Sequence, residues 1–336
     1  MHDATEPAAV AAAAKAGDES AFSSLVEKYR HELHVHCYRM LGSFQDAEDT
    51  VQETFLRAWN KRSSYEGRST FRAWLYAIAT HACLDALEAR GRRPKPVDTQ
   101  VADSPSALLE AGEIMWLEPY PDRLLQGGDP DAAALAKETI ELAFLVSIQL
   151  LPPRQRAVLI LRDVLGWPAK DAASLLELSV PSANSALQRA RATLKKHLPA
   201  RRSEWAAHSI PTEGERALLK RYVDATERAD MNAFLEMLHE DARFAMPPEP
   251  GLWVGAKAIV DGWVEFGFGT EEFGRYRCLV TRANRQPAVA NYRRKPGEPE
   301  FSPAYLDVLQ IEDGLITEIV AFPFTDPAAY GLPPKL

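Results

Sequence analysis

Seven polar side chains in one short stretch are of the kinds that read nucleic acid. Ser182, Asn184, Ser185, Gln188, Arg189, Arg191 and Lys195 are interleaved with Ala183, Ala186, Leu187, Ala190 and Leu194. The apolar set recurs in steps of three and four, so Val180–Lys196 reads as a helix with the polar set turned outward. Asn and Gln pair bidentately with adenine, Arg pairs with guanine, and Arg and Lys neutralise phosphates.

The preceding residues position that face. Pro152-Pro153 opens a helix over Arg154–Val164, and Gly166-Trp167-Pro168 breaks it. Ala169–Leu176 is a second helix, buried through Ala172, Leu175 and Leu176, and Glu177-Leu178-Ser179 is a tight turn before the third. The pattern is a helix-turn-helix, which lays its second helix in the major groove; a plain helical hairpin in a core has the same signature. Charge distribution favours the first reading. The 336-residue chain has a net charge of −8, yet residues 150–202 hold 10 Lys+Arg against 3 Asp+Glu. A local basic field is what phosphate contacts need. The three cysteines, Cys37, Cys83 and Cys278, are too few and too far apart for a disulfide framework and point to a reducing, cytoplasmic setting. No apolar run approaches the roughly 20 residues of a membrane span, and the acidic N-terminus lacks the basic start of a secretory signal.

Two further groups carry chemistry. Tyr65, Arg68, Phe71, Arg72, Trp74 and Tyr76 interleave rings and guanidinium groups, on and just before a helix that Thr70 opens and that ends at Arg92-Arg93-Pro94. Such a surface stacks unpaired bases and tracks a phosphate backbone, although basic residues at a helix C-terminus also suit the helix dipole. Asp46, Asp49, Gln52 and Glu53 share a stripe of the helix that Ser43 caps. That stripe is either a solvated face or a docking surface for a basic partner. His31, His34, His36 and Cys37 match no zinc spacing, so neither a metal nor a cofactor is expected.

The order of these segments is itself informative: an acidic docking helix, an aromatic-basic helix ending GRRP, an acidic linker and a basic helix-turn-helix. Over residues 16–94 and 138–198 this resembles the extracytoplasmic-function class of sigma-70-type factors. The carrying segments are DAEDTVQETFLRAW, STFRAWLYAIATHACLDALEARGRRP and LPPRQRAVLILRDVLGW. The resemblance implies region 2 over 1–94, an acidic linker over 95–137 and region 4 over 138–200, both regions all-α. It implies core RNA polymerase as partner, through its clamp and flap, together with promoter DNA, and no enzymatic step. The loop Tyr65–Thr70 would hold a flipped −10 base, with Arg68, Arg72 and Tyr76 beside it and Phe71, Trp74, Arg92 and Arg93 along the same surface. The polar face of the third helix would read the −35 element. Pro181, Asn184 and Ala186 stand where many family members have Lys or Arg, which implies weak intrinsic DNA affinity and reliance on polymerase.

Residues 201–336 continue beyond that resemblance. RYVDATERADMNAFLEMLHEDARFAMPP reads as two helices and a strand over Ala242–Met246, followed by a helix over Gly255–Phe266. Strands are expected at Tyr276–Ala283, Ala288–Tyr292, Ala304–Ile311 and Leu315–Ala321, with Asp313-Gly314 as a hairpin turn. The segment resembles the SnoaL-like branch of the nuclear-transport-factor-2-like superfamily, which implies an α+β cone with helices against a curved antiparallel sheet. Trp253, Trp263, Phe266, Tyr276 and Tyr305 would fill or line its pocket. Asp307 and His239 are the nominated acid and base, but no paired constellation stands out. The tail Phe324–Leu336 reads as an extended arm docking on another surface. The resulting expectation is a multidomain chain in which the cone regulates the sigma part in cis, through a small-molecule or an intramolecular ligand. The alternatives are a stand-alone ligand-sensing DNA-binding regulator and an enzyme of the polyketide-cyclase type.

Overall fold

The computed structural model describes residues 17–65, 67, 69–89, 117–126, 140–197, 212–247 and 252–336. The chain forms two compact units: residues 1–98, 126–139 and 147–196, and residues 99–125, 140–146 and 197–336. Among the described residues no helix is long and apolar enough to cross a membrane.

The first unit is helical. α1 (Glu19–Leu41) starts at Asp18, whose side chain accepts the Ala21 N–H, and stops at Gly42, which adopts φ 75°. A Cβ at Gly42 would meet the Gln149 side chain at 3.0 Å. α2 (Phe44–Lys61) is capped by Ser43 through the Asp46 N–H, as its sequence implies. α3 (Phe71–Ala89) follows Thr70, whose hydroxyl accepts the Ala73 N–H. Leu25, Leu33, Val51, Ala58, Leu75 and Ala79 are buried, each on the stripe its helix presents inward.

α4 (Leu142–Gln149) and α5 (Pro153–Leu159) come next. The expected helix to Val164 is not uniform. Ile160–Val164 is a wide π turn, closed by the Leu165 N–H on the Ile160 carbonyl at 2.8 Å. The wider turn also brings the Trp167 N–H to the Leu161 carbonyl at 2.9 Å. α6 (Ala169–Leu175) and α7 (Val180–His197) complete the helix-turn-helix, with Glu177 in the left-handed region at φ 55°.

The second unit is α+β. α8 (Glu213–Arg228) opens on a capping box, Thr212 with Glu215, and α9 (Met231–Met237) is capped by Asp230. β1 (Leu238–Ala245), β2 (Leu252–Val254), α10 (Ala256–Glu265), β3 (Arg275–Ala283), β4 (Gln286–Arg294), β5 (Ser302–Glu312) and β6 (Leu315–Pro323) follow. The six strands run in the order β2-β1-β6-β5-β4-β3. The sheet is mixed, which corrects the antiparallel expectation: β1 pairs with β6 in parallel, Phe244 opposite Ile319, while the other pairs are antiparallel. The first strand lies beside the last, a pairing between distant segments that period-two patterning cannot reveal. Asp313-Gly314 makes the expected turn; a second, Asn284-Arg285 with both φ positive, was not expected because it lacks a glycine. Helices and sheet bury Leu218, Tyr222, Phe234, Ile259, Val289 and Ile319 between them.

The described linker residues 117–125 belong to this unit, and so does the tail. The Tyr120 N–H donates to Asn284 Oδ1 and the Asn284 N–H to the Tyr120 carbonyl, both at 2.9 Å. The Tyr330 hydroxyl donates to the Pro119 carbonyl at 2.9 Å, and the Arg123 guanidinium donates to the carbonyls of Ala328 and Ala329. The expected docking arm thus packs on the linker residues and on its own domain, where Tyr292 donates to the Pro333 carbonyl at 2.7 Å.

Candidate nucleic-acid interface

α7 presents the face expected of it. Ala183, Ala186, Leu187 and Ala190 are buried, while Ser182, Asn184, Ser185, Gln188, Arg189, Arg191 and Lys195 are exposed. Asn184, Ser185, Gln188, Arg189 and Lys195 make no side-chain hydrogen bond among the described residues, so their donors and acceptors face solvent. Two members of the set are engaged locally. Ser182 joins Ser179, whose hydroxyl accepts the Ser182 N–H and forms the helix cap. Arg191 forks onto Asp163, with both bonds at 2.7 Å, and the pairing raises its pKa above the ordinary arginine value. Arg191 therefore braces the helix-turn-helix before it can touch a phosphate.

The aromatic-basic group divides into two sets. Tyr65, Phe71 and Trp74 form one ring cluster, with centroids 5.3 to 5.6 Å apart, and Tyr65 donates to the Ser69 carbonyl. Phe71 is buried under it, against Tyr29, whereas Tyr65 and Trp74 are half-buried at the surface. Arg72 and Tyr76 are turned the other way. The Arg72 guanidinium grips Glu32, closing to 2.6 Å, and lies 5.0 Å over the Tyr76 ring. Tyr76 is only 2% exposed; its hydroxyl donates to Glu32 at 3.2 Å and its ring packs on His36 and Trp167. This corrects the placement of Tyr76: no base can reach it here, because the Tyr76 and Thr80 face of α3 packs on α1, where Thr80 meets His36 at 2.9 Å. Arg68, Arg92 and Arg93 lie outside the described residues.

On α2, Asp49, Gln52 and Glu53 are exposed and Asp46 is half-buried. Glu53 pairs with Arg57 at 2.7 Å, and Gln52 donates to Glu48 at 3.4 Å. Leu56, an apolar residue outside the acidic stripe, is 61% exposed beside it. The histidines of α1 hold no metal-like cluster among the described residues; burial lowers His34 to about 4 and His36 to about 3.

The second unit holds a cavity of about 210 Å³, lined by rings including Phe234, Phe244, Trp253 and Trp263. Trp253, Trp263, Phe266, Tyr276 and Tyr305 all line it, as expected. His239 does not; its Nδ1 accepts the Asp241 N–H. Asp307 does, and it has partners the sequence did not reveal. Asp307 Oδ2 accepts from the Tyr222 hydroxyl at 3.0 Å and from Asn291 Nδ2 at 2.6 Å. Burial raises the Asp307 carboxyl to about 6, against the lowering effect of these two bonds.

Comparison with known proteins settles the family. Residues 25–93 match Sigma-70 region 2, 141–194 match Sigma-70, region 4, and 219–319 match the SnoaL-like domain. The ECF RNA polymerase sigma factor SigG of Mycobacterium tuberculosis (strain CDC 1551 / Oshkosh) is 41% identical over 318 residues, 94% of this chain and 85% of that protein. The chain belongs to the extracytoplasmic-function sigma factors. It is a sigma factor of transcription initiation, whose partners are RNA polymerase and promoter DNA. Similarity to relatives without the third domain stops earlier. The RNA polymerase sigma-H factor of Pseudomonas aeruginosa is 32% identical over 54% of this chain and 88% of that protein. The crystal structure of the Mycobacterium tuberculosis extracytoplasmic function sigma factor SigJ shares the fold, with a TM-score of 0.58 at 21% identity over 93% of this chain and 99% of that one.

Proposed function

We propose that this sigma factor works through three surfaces and is regulated in cis by its SnoaL-like domain, in the cytoplasm where polymerase acts. Region 4 reads the −35 element with Asn184, Ser185, Gln188 and Arg189, while Lys195 meets phosphates and Arg191 supports the helix. Region 2 traps an unpaired −10 base on the Tyr65 and Trp74 edge of its ring cluster, with Arg68, Arg92 and Arg93 following the backbone. Stacking at about 1–3 kcal/mol per base offsets the few kcal/mol needed to flip it. Asp46, Asp49, Gln52, Glu53 and Leu56 dock on the polymerase clamp, and region 4 meets the flap. The observation that carries the reading is the face of α7: a row of base-reading side chains left free of internal bonds, in a chain of this family.

Regulation in cis is supported by where the stretch between regions 2 and 4 is tied. Asn284 and Arg285, in the β3–β4 turn, hold its described residues and the first described residues of region 4. Besides the paired Tyr120 and Asn284 bonds, Asn284 Nδ2 donates to the Ile140 carbonyl at 2.7 Å and Arg285 pairs with Glu141 at 2.8 Å. The Arg285 N–H donates to Asp122 at 2.7 Å, and Arg282 pairs with Asp122 at 3.1 Å. The linker at Tyr120 and Asp122 and the start of region 4 at Ile140 and Glu141 are thus tied to one turn of the SnoaL-like domain.

The test is run-off transcription with core polymerase, comparing the full chain, a truncation after about residue 205, and Asn284→Ala. Promoter-specific initiation is expected from the full chain and a changed yield from both variants. No initiation above core polymerase alone refutes the three-surface reading. Identical yields from all three proteins refute regulation in cis.

A further inference from the structure

The cavity of the SnoaL-like domain has a polar floor that the packing of the domain leaves incomplete. Asn291 Oδ1 accepts from the Cys278 thiol at 3.1 Å, which turns the Asn291 amide nitrogen toward Asp307. That nitrogen and the Tyr222 hydroxyl both donate to Asp307 Oδ2. Asp307 Oδ1 receives no hydrogen bond among the described residues, and Asp307 lines the cavity. Around it the walls are aromatic: Phe234 and Phe244 stand edge-on to Trp263, with centroids at 4.9 and 5.4 Å, and Trp253 packs on Phe244 at 5.6 Å. No Lys or Arg is among the described lining residues.

We infer that this cavity is a binding site for an uncharged aromatic molecule of one or two rings, held by a hydroxyl that donates to Asp307. Size sets the first limit. A cavity of about 150 Å³ accepts benzene; at about 210 Å³ this one takes a single substituted ring or a fused pair. Charge sets the second. With Asp307 at the floor and no Lys or Arg among the described lining residues, a carboxylate or phosphate placed against Asp307 is repelled; the cation beside the lining is Arg293, 5.0 Å over the Phe273 ring. Hydrogen-bond count sets the third. The floor offers one acceptor without a partner among the described residues, Oδ1, and Tyr276 and Tyr305 also line the cavity. A ligand hydroxyl both donates and accepts, so it satisfies Oδ1 and takes a tyrosine proton. An ammonium only donates and leaves the tyrosine protons unmatched. A buried acceptor without a donor is the costliest feature of such a pocket, so the hydroxyl carries selectivity while the rings supply apolar contact.

The experiment is calorimetric titration of the full chain with 2-naphthol, 2-methoxynaphthalene, 2-naphthoate and 2-naphthylmethylamine, repeated on Asp307→Asn. It uses neither polymerase nor DNA, so its result is separate from that of the transcription test. Saturable one-to-one binding of 2-naphthol is expected, roughly tenfold or more tighter than the methoxy compound, which has the same rings and no donor. The naphthoate is expected to bind weakest, and Asp307→Asn to bring naphthol and methoxynaphthalene close together. The comparison of naphthol with its methyl ether needs no variant, so misfolding of Asp307→Asn does not blunt the test. Equal affinity for those two compounds, tighter binding of the amine, or no saturable binding of 2-naphthol each overturns the inference.

Discussion

Arg156 provides the sharpest test of how the helical unit is held together. It is 1% exposed, and among the described residues its guanidinium finds no carboxylate. Its two terminal nitrogens are held by carbonyl and amide oxygens, while Nε has no partner among the described residues. Nη1 donates to the Met40 carbonyl and to Gln149 Oε1, and Nη2 to the carbonyls of Gln149 at 2.7 Å and Leu151 at 3.1 Å. Gln149 in turn donates to the Arg39 carbonyl at 2.9 Å. Arg39 and Met40 lie in the last turn of α1, where carbonyls lack helical partners and the dipole favours a cation. Arg156 is thus a cap delivered from region 4 to the end of a region 2 helix. Arg156→Met keeps most of the volume and removes every donor. Three buried backbone carbonyls then lose this partner, at about 1–3 kcal/mol for each that stays unsatisfied. Relief of the charge desolvation offsets part of that sum, leaving a loss of about 3–5 kcal/mol, as for other broken buried networks. The assay is urea unfolding followed by far-UV circular dichroism, with exposed Arg154→Met as control, expected within about 0.5 kcal/mol of the parent. Hydrogen exchange of the last turn of α1 should rise only in the Arg156 variant. A loss below about 1 kcal/mol, with unchanged exchange, refutes the capping argument.

Four further outcomes follow from the same geometry. Gln188→Ala and Arg189→Ala should each lower promoter binding by the holoenzyme, by about 1–3 kcal/mol for a bidentate base contact, with relaxed preference at one −35 position. Arg191→Ala should instead lower the melting temperature of the helix-turn-helix, read by thermal unfolding alongside filter binding. Trp74→Ala should weaken open-complex formation by about 1–3 kcal/mol per base stacked, measured by permanganate reactivity, while Tyr76→Phe should leave it intact and cost only stability. Finally, Asp307 should make the C-terminal domain less stable as pH rises. Its folded pKa, raised to about 6 by burial, exceeds the unfolded value, so the native state binds the proton more tightly between about pH 4 and 6. The contribution is fully present below that window, lost through it, and amounts to about 2–3 kcal/mol. Asp307→Asn should flatten the difference between unfolding curves at pH 4.5 and 7; an unchanged slope would count against the burial argument.

Periodicity made the helices legible because it is local. The buried and exposed sets of α7, Ala183, Ala186, Leu187 and Ala190 against Asn184, Gln188 and Arg189, follow from a 3.6-residue repeat alone. The caps at Ser43 and Thr70 and the Asp313-Gly314 turn are equally short-range. The direction a mixed residue faces is a different matter. Tyr76 sits on a helix with rings on several sides, and only the packing of α3 on α1 decides that it points inward while Trp74 stays at the surface.

What the sequence determined by itself was therefore the order of three segments, their fold classes and the polar face of the recognition helix. Each is set by residues within a few positions of one another. Tertiary structure decided the contacts between residues far apart in the chain. Arg156 reaches a carbonyl 116 residues away, Asp307 meets a hydroxyl 85 residues away, and Tyr120 is bound 164 residues downstream at Asn284. Desolvation makes such contacts matter, because a buried donor or acceptor must find its partner wherever the fold brings one. No local pattern records that partner.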